Sequence, residues 1–329
     1  MNIYDIAKEA GVSITTVSRV INNKGYVSEK TRQKIQDVLE KNAYKPSAIA
    51  RGLVLGSMKT VAIVTVDVRV PHYAVTTFIM EQQLTKLGYV VLVCNTGEDK
   101  EECKKYIRTL AGHQVDGVIL VGSIFNELCK DEETLKVLGK IPIVMANGEL
   151  EFDNVHSVLV DEGYGMALAV KYLYEKGHRR IAYVIDKDTD AADRKCRGYL
   201  QKMREYGYEH PERHVYKTPY GIEGGERIAK RLVKPEYGYT GVIFGEDLTA
   251  VGAMNTWTNM GYLIPDDIAL IGCNNSEYSY ICSPKLTTVD NKKEVLSDLT
   301  VQLLENLMTG KKEQASLIVR PELTVRETT

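Results

Sequence analysis

The chain has 329 residues, 44% of them apolar, which is enough for a large core in more than one domain and excludes bulk disorder. Its formal charge of −2 is unevenly spread: residues 1–59 hold ten Lys/Arg against five Asp/Glu, a net of +5, leaving −7 for the remainder. A basic head on an acidic body fits a nucleic-acid module joined to a domain of another kind, and no apolar run approaches the roughly 20 residues that cross a bilayer.

In chain order, Ile3, Ile6, Ala7 and Ala10 recur at helical spacing, and Gly11 stops that helix where a positive φ is wanted. Ser13 is placed to cap a second helix. Val17, Val20 and Ile21 of that helix turn inward, and Ile14, Thr15, Ser18, Arg19 and Asn22 turn outward. Such a face suits the major groove: arginine chelates a guanine edge, and an isoleucine or threonine methyl meets a thymine methyl. Hydroxyls and Asn22 would hold phosphates. The plain alternative is a helical hairpin with a solvated face. Ser28 opens a third helix, with Ile35, Val38 and Leu39 spaced to close a small core, and Lys45-Pro46 ends the region. A further helix of about eight residues after Pro46 is too short to hold alone. Gly52 weakens it more, so it is expected to order only on DNA.

From residue 60 the pattern changes. Strands are expected at 60–66, 89–95, 116–121, 141–146 and 157–160, alternating with helices at 71–88 and 98–112. The alternation restarts with helices at 163–177, 191–207 and 248–261 and strands at 180–185, 240–245 and 268–273. Strand–helix alternation implies parallel βαβ units in two doubly wound lobes, with ligands at the carboxyl ends of the strands. Trp257 is expected to serve packing.

The six cysteines, Cys94, Cys103, Cys129, Cys196, Cys273 and Cys282, form no C-x-x-C pair and no Cys–His metal spacing. That fits a reducing compartment. The first helix begins at the N-terminus without room for a signal peptide, so a cytoplasmic location is expected. No G-x-S-x-G, H-E-x-x-H or strand-following G-x-G-x-x-G is present. An enzyme is therefore not expected, nor are a cofactor and a metal.

The segments AGVSITTVSRVIN, VSEKTR and YKPSAIARGL resemble the DNA-binding head and hinge helix of the lactose-repressor (LacI/GalR) family, and the resemblance continues to the C-terminus. It implies an α/β protein with a small all-α helix-turn-helix head (1–45), a hinge helix and linker (46–58), and a two-lobed, periplasmic-binding-protein-like body (59–329). The N-lobe would comprise about 59–160 plus 291–317, and the C-lobe about 161–288 plus 318–329. It further implies a homodimeric regulator, expected to be a repressor, on a pseudo-palindromic operator, controlled by a sugar-like effector between the lobes. Ile14, Thr15 and Arg19 would read bases. Thr16, Ser18 and Asn22 would hold phosphates, Ser13 belongs to the same surface, and Leu53, with Ala50 one turn earlier, would wedge the minor groove.

By the same resemblance, Tyr73, Asn147, Asp161, Arg194, Lys195, Tyr220, Glu246, Asn274 and Asn291 are the candidate effector contacts. Four positions depart from the family pattern. Val70 replaces an asparagine, Lys195 an arginine, Glu246 an asparagine and Asn274 an aspartate. A zwitterionic or amino-bearing ligand, paired against Glu246 and Lys195, follows as an expectation. Two rivals remain: a catabolite-control-type regulator governed by a phosphorylated partner protein, and a stand-alone ligand-binding module.

Overall fold

Local chemistry sets the head. In this computed structural model, which describes residues 2–21, 25–44, 57–130, 132–234 and 236–329, three helices make up the N-terminal unit. They are α1 (Ile3–Ala10), α2 (Ile14–Ile21) and α3 (Glu29–Lys41). Asn2 and Asp5 form a reciprocal cap at the start of α1, and Gly11 ends it at φ 62°. Ser13 takes the Thr16 amide at 3.2 Å, and Ser28 caps α3. Ile6, Ala7, Ala10, Val17, Val20 and Ile35 bury into one core, with Ile21, Val38 and Leu39 packed partly against it. The expected hinge, including Ala50 and Leu53, falls on 45–56, outside the described residues, as does Asn22.

The second unit, Thr60–Thr329, holds two six-stranded sheets. The chain enters at β1 (Thr60–Thr65) and continues through α4 (Pro71–Lys86), β2 (Val90–Asn95), α5 (Lys100–Gly112) and β3 (Gly117–Val121). Two short helices follow, α6 (Phe125–Leu128) and α7 (Glu132–Lys136), then β4 (Ile143–Ala146) and β5 (Val155–Val160). After Val160 the chain passes to the second sheet, through α8 (Glu162–Glu175), β6 (Ile181–Ile185), α9 (Asp190–Glu205) and β7 (Val215–Lys217). Then come α10 (Ile222–Leu232), β8 (Gly241–Phe244), α11 (Asp247–Asn259), β9 (Ala269–Cys273), α12 (Tyr278–Ile281) and β10 (Thr287–Asp290). The chain returns through α13 (Lys293–Met308), which packs on the first sheet, to β11 (Ser316–Val319), and crosses again to β12 (Glu322–Thr324).

The first sheet runs β11-β5-β4-β3-β1-β2 with every pair parallel. The second runs β12-β10-β9-β8-β6-β7, parallel except for β12, which lies antiparallel to β10. Strands β3, β4, β8 and β9 are buried along their whole length. That is why they read as unbroken apolar runs, since helices cover both faces. Trp257 is fully buried in the second lobe, and its indole N–H donates to the Ala229 carbonyl at 3.1 Å. Among the described residues, no helix is long and apolar enough to cross a membrane.

Where two helices must touch, glycine permits it. A Cβ on Gly198 would stand 2.2 Å from the Gly163 carbonyl oxygen, so α8 and α9 cross backbone to backbone.

Candidate functional site

In the head, the capped α2 presents one polar face. Ile14 is 39% exposed, and Thr15, Arg19 and Ser13 are exposed beside it. Thr16 and Ser18 are half-buried. The Ser13 and Thr16 hydroxyls bond each other at 2.8 Å, so both also serve the helix start. Glu9 holds Lys41 at 2.8 Å and fixes α1 against the end of α3. The face can offer a groove a guanidinium fork, hydroxyls and two methyl-bearing side chains.

In the body, each sheet has a point where the strand order reverses: between β1 and β3 in the first, and between β6 and β8 in the second. Crevices form outside the carboxyl ends of strands at such points. Here the two crevices share one cavity of about 40 Å³. Val70, His72, Tyr73, Ser123 and Asn147 face it from the first sheet, and Glu162, Asp186, Lys187, Lys195, Glu246 and Asn274 from the second.

Six of the nine expected effector residues meet in one hydrogen-bonded network. The Asn147 amide donates to Glu162 at 2.9 Å, and Asn291 reaches Glu162 at 3.4 Å and the Asn274 oxygen at 2.7 Å. Asn274 in turn donates to Glu246 at 2.7 Å. Lys195 donates to the Gly245 carbonyl at 2.9 Å and lies 3.9 and 3.8 Å from the Glu162 and Glu246 carboxylates. Arg194 reaches the Asn147 oxygen at 3.3 Å from the outer, α8–α9 side. Burial alone would lower the Lys195 pKa, but the facing Glu162 and Glu246 carboxylates hold it well above the ordinary value.

The remaining expected residues divide. Tyr73 lines the cavity. Tyr220 stands beside it, and the Lys187 ammonium sits 5.4 Å from the Tyr73 ring centre and 4.6 Å from that of Tyr220. Asp161 is a correction. Its carboxylate takes the Tyr164 amide at 3.1 Å as the cap of α8, and it faces an outer groove, not the cavity. Its neighbour Glu162, one residue further round the first turn, takes the inward place. Lys195 and Glu246, expected to pair against a zwitterionic or amino-bearing ligand, face each other at 3.8 Å.

Three acidic or basic cavity groups were not among the expected contacts: Glu162, Asp186 and Lys187. All directly follow strand ends or the crossover, where the rule that pointed to Asn147 and Asn274 also applies. Burial and the facing Glu246 carboxylate push the Asp186 pKa up to about 7 against the lowering effect of the Thr249 hydroxyl, Lys195 and Lys187. Burial takes His72 down to about 4, opposed by Glu246, and leaves it neutral at pH 7. Asp247 points away from the ligand side: it accepts from Thr288 at 2.6 Å and from the Ser276 amide at 2.7 Å, tying β10 to the start of α11. Among the described residues, no three His, Cys, Asp or Glu side chains converge to hold a metal.

Residues 2–47 match the bacterial regulatory proteins of the lacI family, and residues 170–329 match a periplasmic binding protein-like domain. An HTH-type transcriptional regulator of Lachnoclostridium phytofermentans is 34% identical over 331 residues, covering 100% of this chain and 99% of that one. A structure of the lac repressor dimer bound to operator and the anti-inducer ONPF matches with a TM-score of 0.87 over 100% of this chain and 98% of that one, and at 22% identity it speaks for the fold alone. The transcriptional regulator CelR in complex with cellobiose matches at 25% identity and a TM-score of 0.73, over the full length of both chains. The chain therefore belongs to the lacI family of bacterial regulatory proteins, as a DNA-binding transcriptional regulator and not an enzyme.

Proposed function

We propose that this regulator is a cytoplasmic repressor that binds a two-fold operator as a homodimer and is controlled by a small, sugar-like molecule in the cavity between its sheets. The observation that carries the reading is the network itself. Residues from two sheets converge on one cavity through Asn147, Glu162, Asn274 and Glu246. A ligand that exchanges hydrogen bonds with that network has a different affinity for each lobe arrangement, as control of DNA binding requires. The HTH-type transcriptional regulator at 34% identity supports the DNA-binding half, and the CelR–cellobiose complex at 25% identity supports the effector half.

Ile14, Thr15 and Arg19 are assigned to base edges, and Ser13, Thr16, Ser18 and Asn22 to the backbone. Leu53 and Ala50 are assigned to the minor groove. Tyr73, Asn147, Arg194, Lys195, Tyr220, Glu246, Asn274 and Asn291 are assigned to the effector, in contact with it or supporting contact. The test is binding of the full chain to duplex fragments from its own upstream region. Affinity should fall steeply as salt rises, and Arg19→Ala should cost about 1–3 kcal/mol on the preferred sequence but little on random DNA. Equal binding of preferred and random fragments overturns the reading.

A further inference from the structure

Among the described residues, the cavity lining holds three carboxylates and two lysines. Glu162, Asp186 and Glu246 face Lys187 and Lys195. Lys195 is committed to the Gly245 carbonyl, Glu162 and Glu246. Glu162 and Glu246 also receive the Asn147 and Asn274 amides. Lys187 stands over two tyrosine rings. Asp186 is only 7% exposed, and its Oδ2 accepts no hydrogen bond. The Tyr183 hydroxyl, fully buried on the same cavity, also has no partner. A buried carboxylate oxygen without a donor is costly unless something supplies one.

What the position lacks is a positively charged donor with several N–H groups. A neutral hydroxyl would fill the hydrogen bond, whereas a protonated amine would fill it and also favour the ionised carboxylate. A metal does not fit, because no three ligating side chains converge among the described residues. A ligand carboxylate would find Lys195 already engaged by Glu162 and Glu246 and would meet three carboxylates in the lining, with Lys187 as its one partner there among the described residues. The flanking rings of Tyr73 and Tyr220 suit the apolar face of a small ring.

We propose that the effector is a small polyhydroxylated ring bearing a protonated amine, and that Asp186 receives the amine. This rests on the effector reading given above and narrows it to a chemical class. The departure of the cavity from a neutral-sugar site then has a cause: Asp186, supported by Glu246, selects charge.

The test measures thermal shift and calorimetric binding of the full chain with glucosamine, galactosamine and mannosamine. These are set against the parent hexoses and the N-acetylated forms, which keep the bulk and lose the charge. At least one amino sugar should bind about tenfold or more tighter than both of its neutral counterparts. Asp186→Asn should reduce that preference to within about twofold, and Asp186→Glu should keep part of it, with operator affinity in the absence of sugar reporting that each variant is folded. Neutral hexoses binding as tightly as the amines overturn this proposal and leave the effector reading intact. No response to any amine, with operator binding preserved, overturns it as well. Loss of specific DNA binding by the unaltered chain would instead count against the regulator reading.

Discussion

Asp186 titrates against the fold as well as against a ligand. Burial and Glu246 raise its pKa from 3.8 to about 7, opposed by Thr249, Lys195 and Lys187. A carboxyl raised on folding contributes stability that is present below its unfolded pKa and lost as pH climbs through the folded one. The window is therefore about pH 4 to 7, with a slope of at most roughly 1.4 kcal/mol per pH unit for one group. Asp186→Asn should remove that slope. Denaturant unfolding at pH 4.5 and 7.5 should show the variant gaining on the unaltered protein by about 1 kcal/mol or more at the higher pH, and parallel behaviour would refute the buried titration. This residue also shows where sequence reading stops. Lys195, Glu246 and Asn274 were legible because they sit in recognisable motifs, the first on α9 and the other two just after strands. Asp186 follows β6 just as directly, yet resembles no motif. Asp161 looked like a ligand contact because its type and place were right; the need of α8 for a cap turned its carboxylate to the Tyr164 amide.

Helix packing in the second lobe depends on glycines whose meaning is invisible in isolation. Eight of the twelve described strands and most helices were legible from apolar runs and from stops at glycine, whereas β7, β10, β11, β12 and the long α13 were not. Ile222–Leu232 was not, because its Gly224-Gly225 pair lowers helix propensity. The fold explains the pair: a Cβ on Gly224 would stand 1.7 Å from the Pro219 carbonyl oxygen, and one on Gly225 2.2 Å from that of Thr249. The same logic applies to Gly198 against Gly163. Gly198→Ala must separate α8 from α9, and forced overpacking of this kind costs about 1–3 kcal/mol. Because α9 carries Arg194 and Lys195, the shift should also disturb the network. Unfolding midpoints should fall accordingly, and a variant as stable as the parent would mean that the helix pair slides freely. At the start of α2, Ser13→Ala removes an acceptor for the Thr16 amide and should cost the head about 1 kcal/mol, measurable as weaker operator binding at fixed salt.

Closure of the body about its cavity is a property of the whole second unit. A cavity of about 40 Å³ is far below the few hundred Å³ of ordinary ligand pockets. A ring-sized ligand must therefore enter by parting the two sheets. Besides the network and the Lys187–Tyr73 contact, two hydrogen bonds join the rims: the Asn126 amide donates to Asp190, and the Ala191 amide donates to the Ser123 hydroxyl at 3.1 Å. Sequence could not show them, since they pair Ser123 and the short α6 with the start of α9, more than sixty residues on. A hydrogen bond to a carboxylate contributes about 1.5–3 kcal/mol, enough to shift an open–closed equilibrium by more than tenfold. Asn126→Ala combined with Ser123→Ala should favour the open arrangement. Amide hydrogen exchange over the whole start of α9 reads this, because the Ser123 substitution by itself already frees the Ala191 N–H. Exchange across 186–195 should quicken while the strands of both sheets stay protected. If Ala191 alone quickens and its neighbours do not, only a local bond was lost, and closure is governed by the buried Asn147–Glu162–Asn291–Asn274 chain instead.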